Sequence, residues 1–280
     1  MSYKERLKEF DKIYGSHCIT QALMEVMFNT TNLFSKEVFN ESVFFGLDAS
    51  IDFVFRDLGK EHIPHIFIGG RRTTWLDIFP SVTEIKIVRN TVKDNKIAWE
   101  KLKDSLDRKI PVILEVDKYQ IDYWRKTIGP EDYGGHLIVA IAYDQGGIYV
   151  SDQCRSNDEF KKISYYELEQ ARSNELYWKP PQNSYYTFEI PDKLPDNMEM
   201  VMRAIQVNSR SMINGSITDA KNGLKAYEVF LENLEKWEDI LNYNIRNPKT
   251  GETICALDYE LFKIWFVSIR SHPKPLSFAP

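Results

Sequence analysis

The sequence predicts an α+β fold, in which helices and strands occupy separate stretches of the chain. Helical periodicity comes first, short β-branched and aromatic segments fill the middle, and helical periodicity returns after residue 197. Such an order favours α+β over a parallel sheet, whose strands would alternate with helices. A Pro- and Asp-rich stretch at 189–197 follows the last strand, so we expect a larger domain at 1–190 and a smaller helical domain at 191–280.

Two helices are predicted near the N-terminus. The first covers about 4–13, where apolar residues recur every three positions, and Gly15 ends it. The second begins at about Cys18, and its apolar residues share one helical face: Ile19, Leu23, Val26 and Met27. We expect this second helix to be the central helix of its domain.

Strands are predicted wherever a β-branched or aromatic segment is bounded by Gly, Pro, Asp or Asn. These segments are 83–89, 111–117, 136–144, 147–153 and 185–190. Helical spacing is found between the first two segments, at 97–109, and again in the tail at about 197–214, 218–243 and 254–270.

Composition excludes several classes of protein. The net charge of -5 and the pI near 5.7 disfavour a general nucleic-acid or anionic-membrane binder. Apolar stretches such as 110–114 are far shorter than the roughly 20 residues that span a bilayer, and the N-terminus has no secretory signal, so we expect a cytoplasmic protein.

Cysteine and histidine spacing predicts no metal site, and we expect no cofactor. Cys18, Cys154 and Cys255 are odd in number and irregularly spaced, which fits neither a disulfide framework nor a CxxC site. His62 and His65 flank Pro64, and Glu61 is the one nearby carboxylate, so they make a poor metal site.

Cys18 is the candidate nucleophile. A cysteine at a helix N-terminus lies near unpaired backbone N–H groups and the positive end of the helix dipole, both of which favour the thiolate. His136 opens an apolar strand after two glycines, and Asp152 closes the next strand after the turn at 144–147. A hairpin there brings Asp152 to within about two or three positions of His136, where its carboxylate can orient the imidazole.

Other interpretations of these residues remain open. A cysteine in a helix is more often a small buried hydrophobe than a nucleophile, and His136 suits a buried core histidine as well. Asp144 is the rival carboxylate, although its place in the turn favours a role in the turn itself.

Four motifs give the sequence a resemblance to a known family. They are GSHCITQAL at 15–23, FGLDASIDFVF at 45–55, FIGGRR at 67–72 and GGHLIVAIAYDQGGIYVSD at 134–152. Together they resemble the N-terminal domain of the butirosin biosynthesis protein H family, in the papain-like, C39-peptidase-like group, over roughly residues 14–190. The resemblance implies a papain-like fold, with a central N-terminal helix packed on an antiparallel sheet. The helical domain at 191–280 is the part left over from this core, so we expect it to cover the site.

The resemblance also implies an acyltransferase. Relatives take an acyl group from a carrier-protein phosphopantetheine thioester and pass it to a small amine, forming an amide in natural-product biosynthesis; the amide-forming enzyme of closthioamide biosynthesis is similar. Carried over to this sequence, Cys18 is the nucleophile, His136 the general base and acid, and Asp152 the orienting residue.

One position departs from the papain-like pattern. These peptidases usually carry an oxyanion-hole glutamine six residues before the cysteine, and Lys12 stands there instead. The Cys18 backbone N–H is one alternative donor, with Ser16 or His17 supplying the second hydrogen bond.

The glycine-rich FIGGRR motif has two further interpretations. Gly69, Gly70 and Arg71 are expected to line an acyl channel, or to let Arg71 and Arg72 meet an acidic carrier protein; an ordinary solvated turn is the alternative. The sequence does not have the GxxxxGK[ST] pattern of a phosphate-binding loop.

Two rival functions remain at this point. The first is a C39-type papain-fold peptidase, which Lys12 and the lack of a propeptide or transporter segment disfavour. The second is a catalytically silent binding module. In an acyltransferase, aromatic residues of the tail would wall the acceptor pocket, although their helical spacing suits a core equally well: Tyr227, Phe230, Trp237 and Tyr243.

Overall fold

A computed structural model describes most of the chain. The described residues are 2–48, 51–57, 59, 66–71, 76–126, 135–152, 159–175, 180–215, 222–246 and 253–258. They form two compact units, one of residues 1–50 with 74–207 and the other of residues 51–73 with 208–280.

The helices and strands follow in chain order. The helices are α1 Tyr3–Glu9, α2 Cys18–Thr30, α3 Glu41–Leu47, α4 Phe79–Thr83, α5 Asn95–Asp107, α6 Asp122–Arg125, α7 Tyr165–Ser173, α8 Asn197–Asn214, α9 Gly223–Leu234 and α10 Trp237–Ile240, with a 3-10 turn at Lys118–Gln120. The strands are β1 Ile51–Asp57, β2 Ile66–Arg71, β3 Lys86–Asn90, β4 Val112–Asp117, β5 Gly135–Asp144, β6 Gly147–Ser151, β7 Lys161–Ile163, β8 Tyr185–Glu189, β9 Asn244–Arg246 and β10 Thr253–Cys255.

A six-stranded antiparallel sheet organises the first unit, in the order β3-β8-β4-β5-β6-β7. Both faces of its central strands β4 and β5 are buried. Successive residues of a strand point to opposite faces and so pack in different hydrophobic cores. In β5, Leu137 and Val139 pack with α2, whereas Ile138 and Ala140 pack with α5 and α7. This double burial explains why β4 and β5 are almost continuously apolar.

Helix α2 occupies the centre of the first unit, as predicted. Every side chain from Ile19 to Met27 is buried, and the helix packs against β4 and β5. Burying a side chain such as Leu23 or Met27 contributes roughly 1.5–3 kcal/mol, so this helix is held mainly by its packing. The prediction of an α+β, papain-like fold with a central helix on an antiparallel sheet is therefore confirmed.

The second unit combines short strands with helices. β1 pairs antiparallel with β2, and β9 pairs with β10. Asp52 of β1 organises the start of α9, because its Oδ1 accepts the Gly223 N–H at 3.0 Å and its Oδ2 accepts Asn222 Nδ2 at 3.0 Å. Position 223 requires glycine, since φ is +71° and an added Cβ would lie 2.4 Å from the Met212 carbonyl oxygen.

The two units divide the chain at other places than the predicted boundary at 190/191. The beginning of α8 groups with the sheet, and residues 51–73 group with the C-terminal region. The part after 191 that the structure describes is not wholly helical, because β9 and β10 form a ribbon there. Of the helix expected at 254–270, residues 254 and 255 lie in β10, and residues beyond 258 lie outside the described part.

Several aromatic residues of the tail pack within the second unit. Phe230 contacts Trp237, with ring centroids 5.9 Å apart, and Trp237 is buried. Tyr227 lies against Phe53 at 5.3 Å but keeps 45% of its surface exposed. Phe230 and Trp237 therefore have the core role that helical spacing allowed. Along the described ranges, no helix is long and apolar enough to cross a bilayer.

Candidate active site

Cys18 is the first residue of α2, as predicted, and its side chain is half-buried. The segment before it is held by Glu41, in the first turn of α3. Glu41 Oε1 accepts the backbone N–H groups of Ser16 and His17 at 2.7 and 2.8 Å, and Oε2 accepts the Ser16 hydroxyl at 3.0 Å. His17 is the N-cap residue, with Nδ1 accepting the Thr20 N–H at 3.3 Å. The backbone segment that leads into Cys18 is thus held in place by the Glu41 carboxylate of α3.

His136 and Asp152 are brought together at one end of the β5–β6 hairpin. Val139 of β5 pairs with Ser151 of β6, which places Asp152 two positions from His136, as predicted. Both residues are buried, with 6% and 5% of their surface exposed. His136 Nε2 lies 2.5 Å from Asp152 Oδ1, a charge-assisted hydrogen bond.

The second oxygen of Asp152 is held by two aromatic residues of α6. Tyr123 donates its hydroxyl to Asp152 Oδ2 at 2.5 Å, and Trp124 donates Nε1–H to the same oxygen at 2.8 Å. The Trp124 ring also packs edge-to-face on His136, with centroids 5.3 Å apart. Sequence analysis missed both residues, because no spacing or motif links α6 to a carboxylate 28 residues downstream.

The electrostatics of the site favour a charged imidazole. Burial alone lowers the pKa of His136, but the Asp152 carboxylate and the Cys18 sulfur outweigh burial and raise it to about 10. Cys18 is a hydrogen-bond partner of His136 as well as a charged neighbour. Because Asp152 takes Nε2, the ring nitrogen left for Cys18 is Nδ1.

The ionised state of Asp152 is favoured in the same way. Burial raises the pKa of this carboxyl, but the His136 charge and the hydrogen bonds from His136, Tyr123 and Trp124 together bring it below its ordinary value. The His136 ring therefore lies between the Asp152 carboxylate and the Cys18 sulfur, an arrangement compatible with a nucleophile–base–orienter triad.

Asp144, the alternative candidate for the orienting carboxylate, makes its hydrogen bonds at the hairpin turn. Its Oδ1 accepts the Gly146 N–H at 2.7 Å, and its Oδ2 accepts Tyr149 OH and Lys162 Nζ, each at 2.7 Å. These contacts, led by Lys162, lower the pKa of Asp144 to about 2. Asp144 thus has the turn role that sequence analysis favoured.

The candidate oxyanion and substrate residues are placed as follows. The Ser16 hydroxyl donates to Glu41, and the His17 ring caps α2. Lys12, where a glutamine was expected, donates Nζ to the Glu159 carbonyl at 2.9 Å and lies over the Phe160 ring at 5.4 Å. Gly69, Gly70 and Arg71 lie in β2 of the second unit.

A second buried carboxyl, which sequence analysis also missed, connects α2 to the site strand. Glu25 is fully buried, and its Oε1 accepts Ser151 Oγ at 2.6 Å, the Ile13 N–H at 3.1 Å and Gln21 Nε2 at 3.4 Å. Its Oε2 has no hydrogen-bond partner in the part of the chain that the structure describes. Burial, partly offset by these donors, raises the pKa of Glu25 to about 7. The available signal was an acidic residue among the apolar residues of α2.

Metal ligation finds no support in the described ranges. Within them, no group of three or more His, Cys, Asp or Glu residues could hold a metal ion. His62, His65 and Cys154 lie outside the described residues. Cys255 lies in β10, where its sulfur is 3.7 Å from the Leu241 carbonyl oxygen.

Two family models match consecutive parts of the chain. Residues 17–153 match the family described as Butirosin biosynthesis protein H, N-terminal, and residues 166–249 match Domain of unknown function (DUF4872). The comparison with curated proteins found no match. The match over residues 17–153 confirms the resemblance to the butirosin biosynthesis protein H N-terminal family that the four motifs predicted. This match indicates an enzyme of biosynthesis.

Proposed function

We propose that this protein is a cysteine-dependent acyltransferase that moves an acyl group from a carrier-protein thioester to a small amine. One observation carries the proposal: His136 is hydrogen-bonded through Nε2 to Asp152 and interacts with Cys18, which begins the central helix. The family match over residues 17–153 supports a biosynthetic role for this arrangement.

Acylation of Cys18 is the first step. The sulfur attacks the thioester carbonyl carbon, a new C–S bond forms, and the phosphopantetheine sulfur leaves with the proton that His136 donates. The imidazolium favours the attacking thiolate, and Asp152 favours the imidazolium. The backbone N–H of Cys18, in the first turn of α2, is a suitable donor to the developing oxyanion.

Aminolysis completes the cycle. Neutral His136 takes a proton from the attacking amine as the C–N bond forms. The C–S bond to Cys18 then breaks, and the sulfur leaves as thiolate beside the regenerated imidazolium. The product is an amide, and no group other than the two substrates is consumed.

The first test is covalent capture on Cys18. The protein is incubated with acyl-loaded carrier protein, and the acyl group is located by intact mass and peptide mapping. We expect the mass increase on Cys18, none on Cys18→Ala, and an unchanged result for the matched Cys255→Ala variant. An adduct that persists in Cys18→Ala would exclude this nucleophile.

Product analysis separates the acyltransferase from its two rivals. With amine present, an acyltransferase yields amide, and the amide-to-acid ratio rises with amine concentration. Cleavage of peptides without amide synthesis would instead indicate the papain-fold peptidase. A silent binding module predicts slow alkylation of Cys18 by iodoacetamide at neutral pH, because such a thiol has no activating partner.

A further inference from the structure

We propose that Tyr123 and Trp124 of α6 are positioning residues, which fix the Asp152 carboxylate in the orientation that His136 requires. The inference deepens the proposed function and rests on it for its catalytic consequence. Its geometric content concerns only the Asp152–His136 pair, so it has a readout that does not involve acyl transfer.

The two oxygens of the Asp152 carboxylate have different hydrogen-bond partners. Oδ1 of Asp152 bonds to His136, while Oδ2 accepts both aromatic donors. A carboxylate held through one oxygen can still rotate about its side-chain torsions. Two further donors on the other oxygen remove that freedom, so the direction of Oδ1 toward Nε2 is set by α6.

Burial makes these donors costly to lose. The Asp152 carboxylate is inaccessible to solvent, so water does not replace a missing partner. Hydrogen bonds in which one partner is charged are about twice as strong as neutral ones, and the surrounding low dielectric strengthens them further. The Trp124 ring also packs against His136, which is itself buried.

Helix α6 is itself anchored at its N-terminal end. The preceding residue, Ile121, is fully buried in the core on the α5–α7 side of the sheet. The Asp122 N–H donates to Glu167 Oε1 of α7 at 3.1 Å. A helix of four residues has little stability of its own, so these tertiary contacts give it the rigidity that a positioning element needs.

The test uses Tyr123→Phe, with Trp124→Phe as the second variant. The control is Tyr149→Phe, which removes the same kind of bond, from a tyrosine hydroxyl to Asp144 Oδ2 at 2.7 Å, at the turn end of the hairpin. The titration of His136 is followed by NMR on protein labelled in its five histidines, with His136→Gln assigning the signal.

We expect the midpoint of the His136 titration to fall in both α6 variants and to stay unchanged in the control. The reason is that a carboxylate free to turn away supports the imidazolium less well. An unchanged or raised midpoint in a folded Tyr123→Phe or Trp124→Phe variant would overturn the proposal. If the lost donor only stabilised the negative charge of Asp152, the carboxylate would stay in place and become more basic, and the His136 midpoint would not fall.

Turnover supplies the second readout. Loss of one charge-assisted hydrogen bond should lower kcat about tenfold or more. In an Asp152→Asn background, Tyr123→Phe should add no further loss, because both changes act through one side chain. A full additional tenfold loss there would overturn the proposal. If wild-type protein transfers no acyl group but the His136 titration moves as expected, the proposed function fails and the positioning role stands.

Discussion

Ionisation of Glu25 should set a large part of the pH dependence of stability. The unfolded chain releases this proton near pH 4.5, whereas burial keeps it on the folded protein up to about pH 7. Between these values the folded state binds more protons, so the free energy of unfolding falls as pH rises. At about 1.4 kcal/mol per pH unit, the loss across the window is about 3 kcal/mol. This contribution is fully present below pH 4.5 and is lost as pH rises through about 7.

The substitution Glu25→Gln isolates this contribution. A glutamine resembles the protonated acid, and its Oε1 keeps an acceptor for Ser151, Ile13 and Gln21. We expect similar stabilities at pH 4.5. By pH 7.5 the variant should be about 3 kcal/mol more stable than wild type, because it no longer places a charge in the core.

Urea unfolding at half-unit steps from pH 4.5 to 8 measures the difference. His136 and the other titrating groups are common to both proteins, so their contributions cancel. The exposed Glu100→Gln is the matched control and should track wild type throughout. Parallel curves for Glu25→Gln and wild type would refute the reasoning, since they would mean that burial does not hold this proton.

Four further substitutions probe the nucleophile segment and the hairpin. Asp152→Asn should fold and keep some thiol reactivity yet lose kcat by up to about 10⁴, whereas Asp144→Asn should keep turnover; the reverse result would contradict the strand register. Glu41→Ala removes three hydrogen bonds from the segment before α2, so we expect about 1–3 kcal/mol lower stability by urea unfolding and slower acylation. Gly147→Ala would place a Cβ 2.1 Å from the Ile163 carbonyl oxygen, so at least about 2 kcal/mol should be lost; near-wild-type stability would argue against this packing.

Sequence reasoning predicted what local rules determine. Gly15 and the apolar period fixed the start of α2, and the turn at 144–147 fixed the register that brings Asp152 to His136. β7 was missed because a strand of three residues, two of them lysines, carries no alternation to read.

The contacts that could not be predicted are those between distant segments. Tyr123 and Trp124 reach Asp152 across 29 and 28 residues, and Glu41 reaches Ser16 across 25. β1 belongs with the second unit although it follows α3 in the chain. Such partners are chosen by tertiary packing, which neither propensity nor spacing encodes.

The register of the β5–β6 hairpin connects these local and distant features. At its turn end, Asp144 binds Gly146, Tyr149 and Lys162, as described above. At its other end, Ser151 bonds to Glu25 of α2 while its neighbour Asp152 bonds to α6. Neighbouring side chains on an extended segment point to opposite sides, so the C-terminal end of β6 is held by α2 on one side and by α6 on the other. A slip of one residue would exchange the two partners, burying a carboxylate against Glu25 and leaving a hydroxyl for His136. The turn therefore sets the register that places Asp152 beside His136, and the same register stabilises the core and aligns the proposed chemistry.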